Sequence, residues 1–198
     1  MADDAASPTA ALGVFCGSRP GTDDTVHALA RDLGEALAAA GVDLVYGGAG
    51  VGVMGTLADA VLEAGGRAVG VIPLGLFSQE VPHEGLTERI EVASMHERKR
   101  LMYERSDAFC ALPGGYGTLE EVFEAATWTQ LGLHDRPKPV ALLDGGPTHG
   151  TGCDGTVGFW SGLEAFLDRA VADGFVKPEN RSIVYRVGSV TEAVALAG

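Results

Sequence analysis

Cysteine, lysine and long apolar runs are scarce in this sequence, and each scarcity removes a class of function. The 198 residues include 3 cysteines, Cys16, Cys110 and Cys153, too few and too scattered for a disulfide framework or a paired zinc site. They cannot all pair within one chain, so a reducing compartment and a cytoplasmic protein are expected. Basic residues are also few: 14 Lys and Arg face 27 Asp and Glu, for a formal net charge of -13 and a pI near 4.6. That balance repels nucleic acid and anionic membrane and leaves a small anionic metabolite, drawn in by local features, as the fitting partner. No apolar run is long enough to cross a bilayer, and the start, MADDAASPTA, has no basic region ahead of an apolar core. Residues 1–10 are read as a flexible tail, and residues 11–198 as one domain.

What is present is a repeated alternation of apolar strands and helical stretches. Strands are expected at residues 12–16, 43–46, 67–72, 88–93, 108–112, 139–143 and 182–187. Helices are expected at 22–40, 53–64, 95–105, 120–131, 159–172 and 190–197, several stopped by glycine, as at Gly41 and Gly65. Residues 74–87 and the Gly- and Thr-rich 144–157 are read as surface loops. Strands this apolar have no wet face, which predicts an α/β fold: a single Rossmann-like, doubly wound domain with a mainly parallel sheet and helices on both faces. Ligands of such sheets sit beyond the strand C-termini where the strand order reverses. The turns at 17–21, 47–55 and 113–118 all follow strands and belong on that edge.

Three motifs fall there. GVGVMG at residues 50–55 fits G-x-G-x-x-G, a weak signal alone. It follows the second strand, and the next strand ends Val71-Ile72-Pro73 with no ribose-binding acid, so NAD is disfavoured against a mononucleotide phosphate or tight helix packing. In the charged helix MHERKRLMYER, alternating signs describe a solvated face held by i,i+4 pairs. Arg98 differs, because it lies in the first turn just past a strand end, where an anionic ligand on an acidic protein needs a cation. His96 is read as a surface or capping residue. PGGYGTLEE at 113–121 places Gly114, Gly115 and Gly117 where positive φ and close ligand approach are useful, with Thr118 expected as the helix cap. A helix start of this kind attracts phosphate. One of Glu120 and Glu121 is explicable as a complement to the helix dipole; two imply that at least one faces the ligand.

SMHERKR at 94–100 followed by PGGYGTLEE, with CGS at Cys16 to Ser18 and GGAGVGVMG at 47–55, resembles the LOG (Lonely Guy) family of cytokinin riboside 5′-monophosphate phosphoribohydrolases. The resemblance covers most of residues 12–173. It implies hydrolysis of the N-glycosidic bond of AMP or N6-prenylated AMP, giving free base and ribose 5-phosphate, with no metal and no cofactor. Carried over by motif, Arg98 and Glu121 are the catalytic pair. Ser18, Glu80, Met95, Lys99, Gly114, Gly115, Tyr116, Gly117, Thr118, Leu119, Glu120 and Thr127 are the implied substrate-binding positions. Family members are homodimers or assemblies of dimers, and the helix around Trp128 and Leu131 is the expected contact surface. The older label of the family, lysine decarboxylase, finds little support, since a pyridoxal enzyme needs a Schiff-base lysine and only Lys99, Lys138 and Lys177 are available.

The residues make the implied chemistry sensible. Departure of a purine builds positive charge at the ribose C1′, an oxocarbenium-like state that a carboxylate stabilises. Glu121 can stabilise that charge, hold ribose hydroxyls or activate the water. Arg98 can orient Glu121, assist departure of the base or bind phosphate. The alternative is a nucleotide-binding module that does not hydrolyse its ligand. Two departures from the family pattern stand out: Ser94 where an acid is common, and a long loop at 145–156 that would alter the N6 substituents admitted if it folded over the cleft.

Overall fold

A computed structural model describes residues 9–75, 81–145 and 158–198. Seven strands form one sheet: β1 (Ala11–Phe15), β2 (Asp43–Tyr46), β3 (Ala68–Pro73), β4 (Glu88–Val92), β5 (Ala108–Ala111), β6 (Val140–Leu142) and β7 (Val184–Arg186). Their order is β4-β3-β2-β1-β5-β6-β7, and every pairing is parallel. The chain therefore winds outward from β1 to one edge, returns to β5 on the other side of β1, and winds outward again. The order reverses between β1 and β5, where a doubly wound sheet opens a crevice at its C-terminal edge.

Each strand alternates its side chains between two helical layers. Leu12, Val14 and Cys16 face the layer of α1 (Asp24–Ala40), α2 (Gly52–Glu63) and α6 (Val190–Val194), packing with Leu33, Leu37 and Leu57. Phe15, Phe109 and Ala111 face the other, which includes α3 (Met95–Glu104), α4 (Tyr116–Leu131) and the approach to α5 (Ser161–Ala172), with Tyr103, Val122 and Trp160. The first layer is tight because Gly34 lies where α1 crosses α2: a Cβ there would stand 2.7 Å from that of Ala60. The helix ends follow the sequence signals, with Gly41 and Gly132 left-handed beyond α1 and α4 and Ser94 capping α3 by accepting from the Glu97 N–H at 3.2 Å.

Four expectations change. Strand β4 is not apolar throughout; its outward residues Arg89 and Glu91 are exposed because it is an edge strand. The expected strand at 182–187 is divided, Pro178 opening a 3-10 turn (Pro178–Ile183) before β7. Helix α4 starts at Tyr116, not Glu120, and its N-cap is Gly115, so Thr118 is the third helical residue and not the cap. None of Gly114, Gly115 and Gly117 has positive φ; among the glycines of the three loops on this edge that conformation belongs to Gly21, Gly48 and Gly52. Residues 1–8 of the expected tail, Glu80, Cys153 and nearly all of the 145–156 loop lie outside the described residues.

Candidate active site

A cavity of about 490 Å³ opens at the β1/β5 reversal. The loop after β1 supplies Cys16, Gly17, Ser18 and Arg19; α2 supplies Met54; α3 supplies Met95 and Arg98; the start of α4 supplies Gly115, Tyr116, Gly117, Thr118, Glu120 and Glu121.

The start of α4 is a helix N-terminus that opens into this cavity. Its N-cap makes no side-chain hydrogen bond and its first turn carries no acid, so neither device occupies the terminal N–H groups. The first backbone helix bond is Leu119 N–H to the Gly115 carbonyl at 3.1 Å. The N–H groups of Tyr116, Gly117 and Thr118 precede it. A Cβ on Gly115 or Gly117 would meet nothing within 4 Å, which leaves room for a ligand against the backbone. Gly114 has a different cause: a Cβ there would fall 2.1 Å from the Thr118 hydroxyl, which is folded over it. Because the helix begins at Tyr116, Glu120 and Glu121 sit beyond the first turn, and dipole complementarity no longer accounts for them.

Arg98 and Glu121 face this opening from the two sides, each 6% exposed. The guanidinium of Arg98 lies over Gly47, where a Cβ would stand 2.0 Å from Nη2. Its Nη1 is 3.4 Å from the Met95 sulfur, and its buried Nε has no hydrogen-bond partner among the described residues. A cation held this way is poised for an incoming acceptor. On the opposite side, burial first and the charge of Glu121 second push the Cys16 thiol pKa up, so Cys16 presents a neutral S–H to the cleft.

Several implied positions fall elsewhere. Lys99, one residue from Arg98, does not line the cavity: its Nζ bonds Glu120 at 2.5 Å and Glu124 at 2.8 Å. Leu119 packs into the core beneath α4. Thr127 is exposed and donates to the Phe123 carbonyl at 2.7 Å. Gly114 lines a neighbouring cavity of about 890 Å³ that shares Gly17, Arg19 and Gly115 with the first. Glu80 lies outside the described residues. His96 is exposed and outside the cavity lining. The G-x-G-x-x-G stretch is explained by packing: a Cβ on Gly50, Gly52 or Gly55 would come within 3.0 Å of His83, 2.4 Å of Ser18 and 2.6 Å of Gly50 respectively. Only Met54 of residues 47–55 reaches the cavity.

Cys16, Gly17 and Met54 lie within the CGS and GGAGVGVMG stretches but, like Arg19 in the same loop as Cys16, were not named as site residues. Cys16, Gly17 and Arg19 follow from the topology, since the turn after β1 must border a reversal beside β1.

A family model described as "Possible lysine decarboxylase" matches residues 54–196. The chain is 50% identical over 170 residues, 86% of its own length and 69% of the relative's, to a "Probable cytokinin riboside 5'-monophosphate phosphoribohydrolase" of Oryza sativa subsp. japonica. It is 45% identical over 181 residues, 91% of its length and 74% of the relative's, to a protein of Arabidopsis thaliana with that name less the word "Probable". The chain belongs to the LOG family. Among solved structures, the molybdenum cofactor carrier protein of Chlamydomonas reinhardtii superimposes with a TM-score of 0.67 at 24% identity, covering 94% of each chain, a likeness of fold alone.

The older family label would require pyridoxal phosphate, and the residues of this LOG chain do not fit it. Lys99 is held by two carboxylates, and the Lys138 ammonium by the Tyr103 carbonyl at 2.9 Å and Asp135 at 2.9 Å. Lys177 precedes the 3-10 turn away from the cleft. No lysine is placed to form a Schiff base in the cavity.

Proposed function

We propose that the chain hydrolyses the N-glycosidic bond of AMP and of N6-substituted, cytokinin-type adenosine 5′-monophosphates, releasing the free base and ribose 5-phosphate. The observation that carries this reading is the meeting of an uncapped helix N-terminus, a buried arginine and a buried carboxylate in one cavity, in a chain up to 50% identical to relatives of that name. The phosphate takes the N–H groups at residues 115–118, which fixes the ribose over Glu121. As the C1′–N9 bond breaks, its electron pair leaves with the purine, which takes up a proton. The oxygen of water bonds C1′, and the proton it gives up passes through the Glu121 carboxylate, which also stabilises the positive charge at C1′. The part of Arg98 is to donate hydrogen bonds and supply positive charge to the phosphate or the departing base.

The same reading makes residues 11–198 one nucleotide-binding domain, supported by the single sheet that both halves share. It makes the protein a cytoplasmic homodimer. Cys16 and Cys110 are buried free thiols, which suits a reducing compartment. Trp128 is half-buried, its ring packed edge-on against Tyr103. The outward stripe of α4, Tyr116 at 94% exposure, Phe123 at 38% and Leu131 at 63%, supports an interface that begins at the rim of the cavity.

A product assay across AMP, GMP, CMP and prenylated AMP tests the reading. Adenine release from AMP, and prenyladenine release from its nucleotide, is expected. A folded sample that releases neither ends the enzyme reading, and AMP that raises the melting temperature yet stays intact identifies a binding module.

A further inference from the structure

Arg98 and Glu121 stand on different helices, and the reaction depends on their spacing. Each has a sequence neighbour turned about 100° around its helix. The neighbour of Arg98 on α3 is Lys99, and the neighbour of Glu121 on α4 is Glu120. These two are bonded to each other, Lys99 Nζ to Glu120 Oε1 at 2.5 Å.

The bond is part of a larger tie. The Lys99 side chain is 9% exposed, and its ammonium also holds Glu124 Oε2 at 2.8 Å. Glu124 accepts from the Tyr103 hydroxyl at 2.8 Å, and the Tyr103 ring is packed edge-on against Phe109 and Trp128. Burial alone would lower the pKa of Lys99, but hydrogen bonds and charge from Glu120 and Glu124 outweigh it and raise the pKa, so the ammonium stays charged. One cation thus joins two successive turns of α4 to α3, and the join is anchored in the aromatic core.

Glu120 lines the cavity and Lys99 does not. A phosphate at the start of α4 would be repelled by two carboxylates; Lys99 neutralises one of them from behind and leaves Glu121 as the charge that the reaction uses.

We propose that Lys99 is a positioning residue: its ammonium, clasped by Glu120 and Glu124, fixes α3 against α4 and so sets Arg98 relative to Glu121, without touching the substrate. The proposal rests on the hydrolase reading above. Small displacements of reacting groups are enough to matter, since about 1 Å can cost about 100-fold in rate.

The test is a cycle of Lys99→Met, Glu120→Gln and the double variant, with kcat and KM for AMP and the melting temperature measured for each. Expected are a fall in kcat of at least about tenfold for Lys99→Met, a KM within about threefold of wild type, and a double variant no slower than the worse single one. A KM raised in step with a weakened affinity for ribose 5-phosphate, with kcat kept, would make Lys99 a substrate ligand and overturn the proposal. So would losses that simply add in the double variant, or a wild-type rate for Lys99→Met. If Lys99→Met does not fold, Glu124→Gln, which leaves the Lys99 to Glu120 bond but cuts the anchor to Tyr103, must lower kcat in the same way or the proposal fails. Wild-type protein that hydrolyses no nucleotide would instead remove the hydrolase reading, while coupling of Lys99 with Glu120 in the melting temperatures would still report on the tie.

Discussion

Among the described residues the buried Nε of Arg98 has no hydrogen-bond partner, and a buried donor left unsatisfied costs about 1–3 kcal/mol. Gly47 is what admits the side chain, through the 2.0 Å approach of Nη2 to where a Cβ would stand. Gly47→Ala is therefore expected to push Arg98 aside at its flexible end. Turnover of AMP should drop by about 100-fold, while stability changes by less than about 1 kcal/mol. Wild-type turnover in a variant with a normal melting curve would show that the placement of Arg98 is not critical. Glu121→Gln keeps the shape and removes the charge that faces C1′, and should lower kcat about 1000-fold with the melting temperature nearly unchanged. A kcat within about tenfold of wild type would take Glu121 out of the mechanism.

Helix α4 shows how far local sequence carries. PGGYGTLEE places Gly115, Tyr116, Gly117, Thr118, Glu120 and Glu121 in the cleft because one helix start turns them all toward the β1/β5 reversal. The same string misled on detail: the glycines do not need positive φ, and Thr118 does not cap, because the chain enters the helix directly from an extended Gly115. Proximity in sequence was a poor guide once the helix turned, since Lys99 follows Arg98 yet faces Glu120 and Glu124. Met54 lies in the GVGVMG stretch, but the glycines drew the reading there, and the packing of α2 is what brings this side chain to the cavity. If the start of α4 holds the phosphate, adenosine should be a far poorer substrate than AMP, by about 1000-fold in kcat/KM, with inorganic phosphate competing against AMP. Equal rates on both would remove the phosphate from this helix. Beyond the other end of α4, His134 lies among Tyr103, Phe109 and Trp128, its ring nitrogen 3.3 Å from the Ala125 carbonyl. Burial is the main cause of a pKa lowered from 6.5. The unfolded chain then binds the proton more readily, so stability is full above 6.5 and falls as the pH drops below it. The melting temperature should decline over that range, and His134→Gln should make the decline shallower.

At the scale of the molecule, fold and crevice were legible because apolar strands, glycine stops and the loops between them fix a doubly wound sheet whatever the fine boundaries. What a single chain does not spell out is its partner. Thr127, which the family resemblance ties to substrate, lies six residues beyond Glu121, about 9 Å along the helix, and faces outward with Tyr116, Phe123 and Leu131. In the proposed homodimer that stripe would carry Thr127 of one protomer to the cleft of the other. Two measurements separate this from a chance alignment. Leu131→Glu should convert a particle of twice 20.4 kDa into one of 20.4 kDa in light scattering, and a wild-type protein already at the smaller mass would end the dimer. Mixing Glu121→Gln protein with Thr127→Val protein then reads where Thr127 acts. If it serves the partner's site, a mixed dimer holds one site with both lesions and one with neither, and activity rises above that of either variant after subunit exchange. If Thr127 serves its own chain, or none, each site in the mixed dimer keeps its own lesion and exchange gives no gain.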